Sequence, residues 1–432
     1  MKSLLSKGVT LGLLGLIFPL SAQIEFHGHV YPLARLTLEQ KYLSLPHRIV
    51  SIEGHQRGQK VSLFFNTTLE YRLNTNAGTL ELQEAYADLS TSLGDIRFGQ
   101  QVLSWGAADG NNPTDNVNAY DFYYLFMGGG DRKQSNLAIS TNLYFGNINV
   151  EAALTPIFHP NRIPLDEPDF PIFQDIPFTI DMEKANYPEH DLSNSEMGVR
   201  VRLPLSFMDV SASYFRGFDR MFTPTFNELM PGVPDPTSLK SLEYYQTQVL
   251  GADVVTFFGD WALRAEGAYF LTEDTDGNDP MIRNPYLQYV LQVDRADENS
   301  NIVFQYLGTH ITQLDGDDIM NPITGAVVYT EEENEKDNIQ PKMGMPFGTI
   351  AQNAIMATAS YDFSDGLYTL QGQALYEFDN NGYMVGGKLT IALEDAFDLE
   401  LGLNYMDGKD GSMLATIGDT FSHFYAAMKY SF

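Results

Sequence analysis

The chain has 432 residues and no cysteine, and its 26 Lys and Arg face 56 Asp and Glu, a formal charge of −30. A disulfide-stapled domain and a thiolate metal site are therefore excluded, and so acidic a balance argues against a nucleic-acid partner. At 44% apolar and 12% aromatic residues the chain is too hydrophobic for an acidic disordered protein.

In chain order, residues 1–22 read as a secretory signal peptide. Lys2 and Lys7 give the basic start, Val9–Leu20 the apolar core, and Ser21-Ala22 a small-residue cleavage site before Gln23. That core is too short to span a bilayer, which takes roughly 20 helical residues. No later stretch is apolar enough for a transmembrane helix, so 23–432 is expected to be one exported domain of the periplasm, the outer membrane or the medium.

From there on the dominant signal is period two. Gln23–Leu38 opens in strand-like fashion with Ile24-Glu25-Phe26. Val61, Leu63, Phe65, Thr67, Leu69, Tyr71 and Leu73 alternate with polar residues, interrupted only by Phe64. Further strands are predicted near 79–90, 94–104, 134–145, 148–155, 195–204, 208–218, 243–257, 260–273, 285–294, 300–311, 349–363, 366–378, 382–393, 397–405 and 422–432. Such lengths suit tilted membrane strands. No helical stripe of useful length stands out. The count is seventeen, and it becomes eighteen if 42–54 pairs as well, or sixteen if the N-terminal stretch lies outside the wall.

The connections sort by length. Tight turns such as Phe145-Gly146-Asn147, Phe258-Gly259-Asp260 and Phe363-Ser364-Asp365-Gly366 alternate with long loops at 105–133, 156–194, 219–242, 274–284, 313–348 and 407–420. Counting back from the C-terminus puts every long loop on one side. In the last strand Phe424, Ala426, Met428, Tyr430 and Phe432 share a face, while His423, Lys429 and Ser431 sit opposite. An aromatic final residue with another two positions earlier resembles the terminal-strand signal of bacterial outer-membrane barrels.

The early loop carries the most specific pattern: Trp105, Gly106, Asp109, Asn112, Pro113 and Asp115, preceded by Phe98-Gly99-Gln100-Gln101. This resembles the "WG…D…NP.D" stretch of porin-like outer-membrane proteins. The resemblance implies an all-β fold: a transmembrane antiparallel up-and-down β-barrel of 16–18 strands, with short periplasmic turns and long extracellular loops, in the outer membrane of a diderm bacterium. It also implies a possible homotrimer.

A barrel that wide encloses an aqueous lumen. The polar face of the strands carries Arg72, Arg97, Arg200, Arg202, Arg264, Glu266 and Lys388, expected to line it because charge facing lipid at mid-bilayer costs about 2–4 kcal/mol for Arg or Lys. The early loop is expected to fold inward as a constriction, setting Asp109, Asp115 and Asp121 against some of Arg97, Arg200, Arg202 and Arg264. The aromatic stretch 119–127 reads as an interfacial girdle, or as part of a path for a hydrophobic or polymeric substrate.

Acidic loops at 313–348 and 156–194 suggest a weak preference for cations at the mouth. Residues 274–279 resemble a calcium loop without its closing Glu, and His27 and His29 share a face without further ligands, so no metal and no cofactor are expected. There is no G-x-S-x-G and no HExxH, and His310 and His423 lack partners, so no enzyme is expected. The reading is a passive porin for small hydrophilic solutes or ions, lipid being its other partner. The alternatives are a plugged barrel carrying surface-binding loops, and a specialised channel.

Overall fold

The computed structural model describes residues 24–432 apart from 128–131, 166, 171–177, 231–232, 278–281, 313–318, 321–326, 330–342 and 410–411. The proposed signal peptide lies outside the described residues.

Eighteen strands close into one antiparallel barrel. The first nine are β1 (Ile24–Val30, resuming as Leu33–Thr37), β2 (His47–Gln56), β3 (Val61–Arg72), β4 (Ala77–Thr91), β5 (Gly94–Gln101), β6 (Asn136–Phe145), β7 (Ile148–Thr155), β8 (Glu196–Pro204) and β9 (Met208–Phe218). The rest are β10 (Gln246–Phe258), β11 (Trp261–Leu271), β12 (Tyr286–Ala296), β13 (Ser300–Ile311), β14 (Asn353–Phe363), β15 (Tyr368–Glu377), β16 (Tyr383–Glu394), β17 (Phe397–Asp407) and β18 (His423–Ser431). The undecided segment near 42–54 supplies β2, which settles the parity at an even number.

Closure joins β1 to β18. Leu33 to Thr37 pair with Ala427 to His423, and lower down Gly28 and Phe432 exchange two backbone hydrogen bonds of 2.9 Å. Between these halves β1 breaks at Pro32, which has no N–H to give the ladder. Its carbonyl is still used, accepting from Met428 N at 3.2 Å.

The alternation works as expected of a wall between lipid and water. Phe98, Leu250, Phe304, Leu401 and Phe424 point outward and are exposed, while Gln101, Glu266, Gln288 and Gln292 point inward and are buried. Buried polar residues inside and exposed apolar ones outside invert the pattern of a water-soluble fold, and only a hydrocarbon surround makes that favourable. All the long loops leave from the end opposite the termini; the other end has only tight turns.

Two elements depart from the sequence reading. Helix α1 (Met413–Phe421) occupies the last loop, capped by Ser412, whose Oγ accepts from Ala415 N at 3.0 Å. Its apolar stripe is only Leu414, Ile417 and Phe421, too brief for periodicity to register. The loop after β9 forms a hairpin, Thr223–Met230 with Val233–Glu243, joined in parallel by Ala185–Asn186. Its four prolines, at 224, 231, 234 and 236, disguise it as irregular chain.

The largest apolar core lies inside the long-loop mouth. Leu43 and Leu45, Phe122, Leu125 and Phe126, Phe170, Met345 and Phe347, and Leu414, Ile417 and Phe421 pack together there. They rest on inward wall residues Val290, Leu307, Leu375, Met384 and Met406.

Candidate functional site

The loop from Val102 to Ser135 turns into the barrel and is held there by the inner face of β11 to β13. Its backbone needs acceptors and donors once it leaves water, and the wall supplies them. Glu266 on β11 accepts from Ala107 N (2.8 Å), Ala108 N (3.2 Å), Thr114 N (3.0 Å), Thr114 Oγ1 (2.7 Å) and Asn112 Nδ2 (3.0 Å). Gln292 on β12 clasps Asp109, accepting from its N–H at 2.8 Å and donating to its Oδ2 at 2.8 Å. Gln305 on β13 donates to the Asp109 carbonyl at 2.9 Å and accepts from Asn111 Nδ2 at 2.9 Å.

Each residue of the Trp-Gly…Asp…Asn-Pro…Asp stretch has a place in this seating. Trp105 is buried against Phe215 and Gly198, where a Cβ would meet its ring at 2.6 Å. Gly106 adopts φ +102°, open to glycine at little cost, beside Glu266. Asn112 also donates to Ala108 O at 2.8 Å, and Pro113 O accepts from Asn116 Nδ2 at 2.8 Å. Asp115 is buried and paired with Lys133, whose Nζ also donates to Leu103 O and Ser104 Oγ, each at 3.1 Å.

No ion pair forms between these aspartates and Arg97, Arg200, Arg202 or Arg264, although Asp109 lies near enough to Arg264 for the two charges to attract. Asp121 pairs with Arg162 at 3.0 Å and lies 3.9 Å from Arg48, while Asp109 meets Gln292. Arg97 pairs with Asp88 at 2.8 Å, Arg200 with Asp253 at 2.9 Å, Arg264 with Asp294 at 2.7 Å, and Arg202 with Glu151. Three of the carboxylates stand on the next wall strand; Asp253 is two strands from Arg200, and Ser211 of the strand between is hydrogen-bonded to both. A neighbour about 4.8 Å away satisfies a guanidinium with less ordering than a partner across the lumen. Arg264 and Arg200 do reach the loop, but at the carbonyls of Ala107 (3.0 Å) and Gly106 (3.5 Å). Arg72 is tied to Glu167 of the next loop at 2.5 Å, and Lys388 lies 3.6 Å from Glu400.

The aromatic stretch is a second correction. Tyr120, Phe122, Tyr124, Leu125 and Phe126 are buried in the mouth and make no girdle. Tyr124 donates to Glu70 at 2.8 Å, and the Arg162 guanidinium donates to both Glu70 oxygens, at 2.6 and 2.8 Å. Burial pushes the Asp121 carboxyl up to about 6, against the opposing pull of Arg162 and Arg48.

Further round the wall, from β14 to β18 and β1, the loop is met mainly by apolar packing near the mouth, and few polar side chains are drawn to it. There a cavity of about 330 Å³ opens beside Phe126, among Tyr31, Arg35, Gln371, Lys388 and Tyr425. The Tyr31 hydroxyl donates to Glu400 at 2.7 Å. Arg35 is 6% exposed, and among the described residues its guanidinium has no hydrogen-bond or carboxylate partner.

With this geometry in view, solved structures decide the fold. OccK2 (OpdF) of Pseudomonas aeruginosa aligns with a TM-score of 0.52 at 10% identity, over 95% of this chain and 96% of its own. OccAB4 of Acinetobacter baumannii gives 0.52 at 10%, over 96% and 100%, and the outer membrane protein OpdK of Pseudomonas aeruginosa 0.52 at 8%, over 95% and 99%. The chain folds as an outer-membrane β-barrel. No protein-family model matches it, and no curated protein does either.

Several residues of this barrel were not singled out from sequence: Gln292, Gln305, Lys133, Arg162, Arg220 and Arg35. Gln288 and Gln292 keep the inward phase of β12, and that phase was their only signal. Arg220 joins Glu196 (3.0 Å) to the carbonyls of Asn116 and Val117 (both 3.0 Å), contacts no spacing reveals. Asp274 does accept from Gly277 N at 3.0 Å, closing the turn through its side chain, but 278 and 279 of the calcium-like segment lie outside the described residues.

Proposed function

We propose that this barrel is a passive channel of the outer membrane for small hydrophilic solutes or ions, weakly preferring cations and assembling as a homotrimer. The observation that carries this reading is the loop seated on Glu266, Gln292 and Gln305, which fills one side of the lumen and leaves a polar cavity on the other. A pore narrowed by a fixed loop selects by size and polarity without energy coupling. In this reading Asp109, Asn112 and Asp115 hold the constriction's shape, Arg72, Arg97, Arg200, Arg202, Arg264 and Lys388 act as wall charges set against carboxylates, and Glu266 is the wall acceptor that seats the loop. The excess of acid over base in the chain supports cation enrichment at the mouth.

A second reading rests on Arg35. A buried guanidinium without a carboxylate partner favours an anionic group in the cavity beside it. The structures similar to this chain include OccK2 in complex with glucuronate and OpdK with vanillate, both small organic acids.

One experiment separates these readings: single-channel current through refolded protein in a planar bilayer under a salt gradient. Discrete steps with a cation-shifted reversal potential are expected. An anion shift that disappears in Arg35→Gln would move the assignment to the second reading. A silent bilayer with folding verified by a heat-shifted gel band would leave a plugged barrel carrying surface-binding loops.

A further inference from the structure

The pairing of seven wall strands sets one continuous rung of side chains across the far side of the lumen. Asn301 on β13 pairs with Ser360 on β14, Ser360 with Gln371 on β15, and Gln371 with Lys388 on β16. Lys388 then pairs with Gly402 on β17, Gly402 with Tyr425 on β18, and Tyr425 with Arg35 on β1. Residues directly opposite in antiparallel strands share a face, so the whole rung faces the cavity.

Three features of this rung belong together. Among the described residues, the side chains of Asn301, Ser360, Gln371 and Tyr425 have no hydrogen-bond partner in the protein, so their amide and hydroxyl groups are free to serve a solute. Glu266, Gln292 and Gln305, by contrast, are engaged by the inward loop and by wall neighbours. Second, the Tyr425 ring lies over Gly402: a Cβ there would come within 2.3 Å of it. Glycine at this one position lets an aromatic plate lie along the wall instead of standing into the lumen. Third, the rung is long, roughly 19 Å from Ser360 to Tyr425 at about 4.8 Å per strand, beside a cavity of about 330 Å³.

Unengaged amides and hydroxyls in line with a flat aromatic face are the chemistry that recognises a hydroxyl-rich ring with an apolar C–H face. We infer that the part of this rung from Gln371 to Tyr425, about 14 Å at about 4.8 Å per strand, is a saccharide subsite sized for a disaccharide, with one ring against Tyr425 and the hydroxyls of the other met by the long Gln371 side chain. The inference rests on the channel reading and names the solute class for it. It asks for no charge on the solute, so it differs from the reading built on Arg35.

The test is block of the single-channel current by maltose and sucrose, with triethylene glycol as a hydroxyl-poor probe and glucuronate as a charged one. The neutral disaccharides are expected to block saturably at millimolar concentration, and triethylene glycol to lower the current only in proportion to its bulk. Gln371→Ala should weaken that block at least fivefold, read as the blocking concentration relative to the variant's own open current. Tyr425→Ala should do the same and Tyr425→Phe should retain it. The open current of each variant reports that it has folded. Current without disaccharide block, or block by glucuronate alone, would overturn the saccharide assignment while leaving the channel standing. Absence of current in every form would remove the channel reading and this inference with it.

Discussion

Gly106 and Glu266, 160 positions apart in sequence, are in contact across the lumen: a Cβ on Gly106 would come within 2.6 Å of Glu266 Oε1. The carboxylate needs that closeness, because it takes the backbone N–H groups of Ala107 and Ala108 just beyond the glycine. Glu266→Gln exchanges one acceptor oxygen for a donor that then faces other donors. It should cost about 3 kcal/mol, the range for a lost hydrogen bond to a buried charged group. The urea midpoint of the folded gel band should fall, and the open current should become larger and noisier as the loop loosens. Gly106→Ala should act in the same direction. A quiet current of unchanged size in both would show that the loop does not set the conductance.

The Lys133–Asp115 pair is buried, with side chains 8% and 4% exposed. Removing one partner strands the other charge. Lys133→Met alone should cost about 3–5 kcal/mol, and the double change Lys133→Met with Asp115→Leu distinctly less than the two single costs together. Urea titration of the four forms gives the coupling. Strict additivity would mean that the pair contributes no mutual energy.

Asp121 gives the mouth a pH dependence. Its carboxyl is pushed up to about 6 by burial, above its ordinary value, so the folded state holds the proton more tightly than the unfolded one. The stability this contributes is complete below about pH 4 and is lost as pH rises through about 6. Asp121→Asn should remove that fall, visible as the difference between variant and parent melting temperatures across this window. A difference that stays constant from pH 4 to 7 would contradict the shift.

Phe126 touches Phe170, Phe347 and Phe421 at ring-centroid distances of 5.8, 5.8 and 5.4 Å, so one side chain joins four loops at the mouth. Phe126→Ala should cost about 3–5 kcal/mol as a core truncation. Because the same ring borders the lumenal cavity, the variant should also pass more current. Destabilisation with an unchanged current would make this cluster a stabilising core without influence on flow.

The barrel was legible because its signal is local and repeated. Facing lipid with every second residue imposes period two on each strand, and the long-and-short sorting of loops follows from strands that traverse one layer. Parity had to wait for pairing partners: His47–Gln56 contains both apolar and polar residues in each phase, and only its ladders with β1 and β3 identify it as wall. Helix α1 and the proline-rich hairpin escaped notice because tertiary packing, not length or propensity, holds such short elements.

For the loop, residue types pointed to order. Glycine, Asn-Pro and aspartate close together announce a compact turn, and Trp105 announces burial. Which charges would meet was decided only by the fold. Arg97 was within reach of Asp88 on the adjacent strand, and Lys133 of Asp115 at the base of the same loop. Electrostatic pairing falls off over a few ångströms, so proximity set by the ladder register overrides any pairing guessed from sign alone. The rung from Asn301 to Arg35 shows the same division. Alternation alone assigns each of its residues a face, but seven strands had to be placed in register before those residues formed a single line.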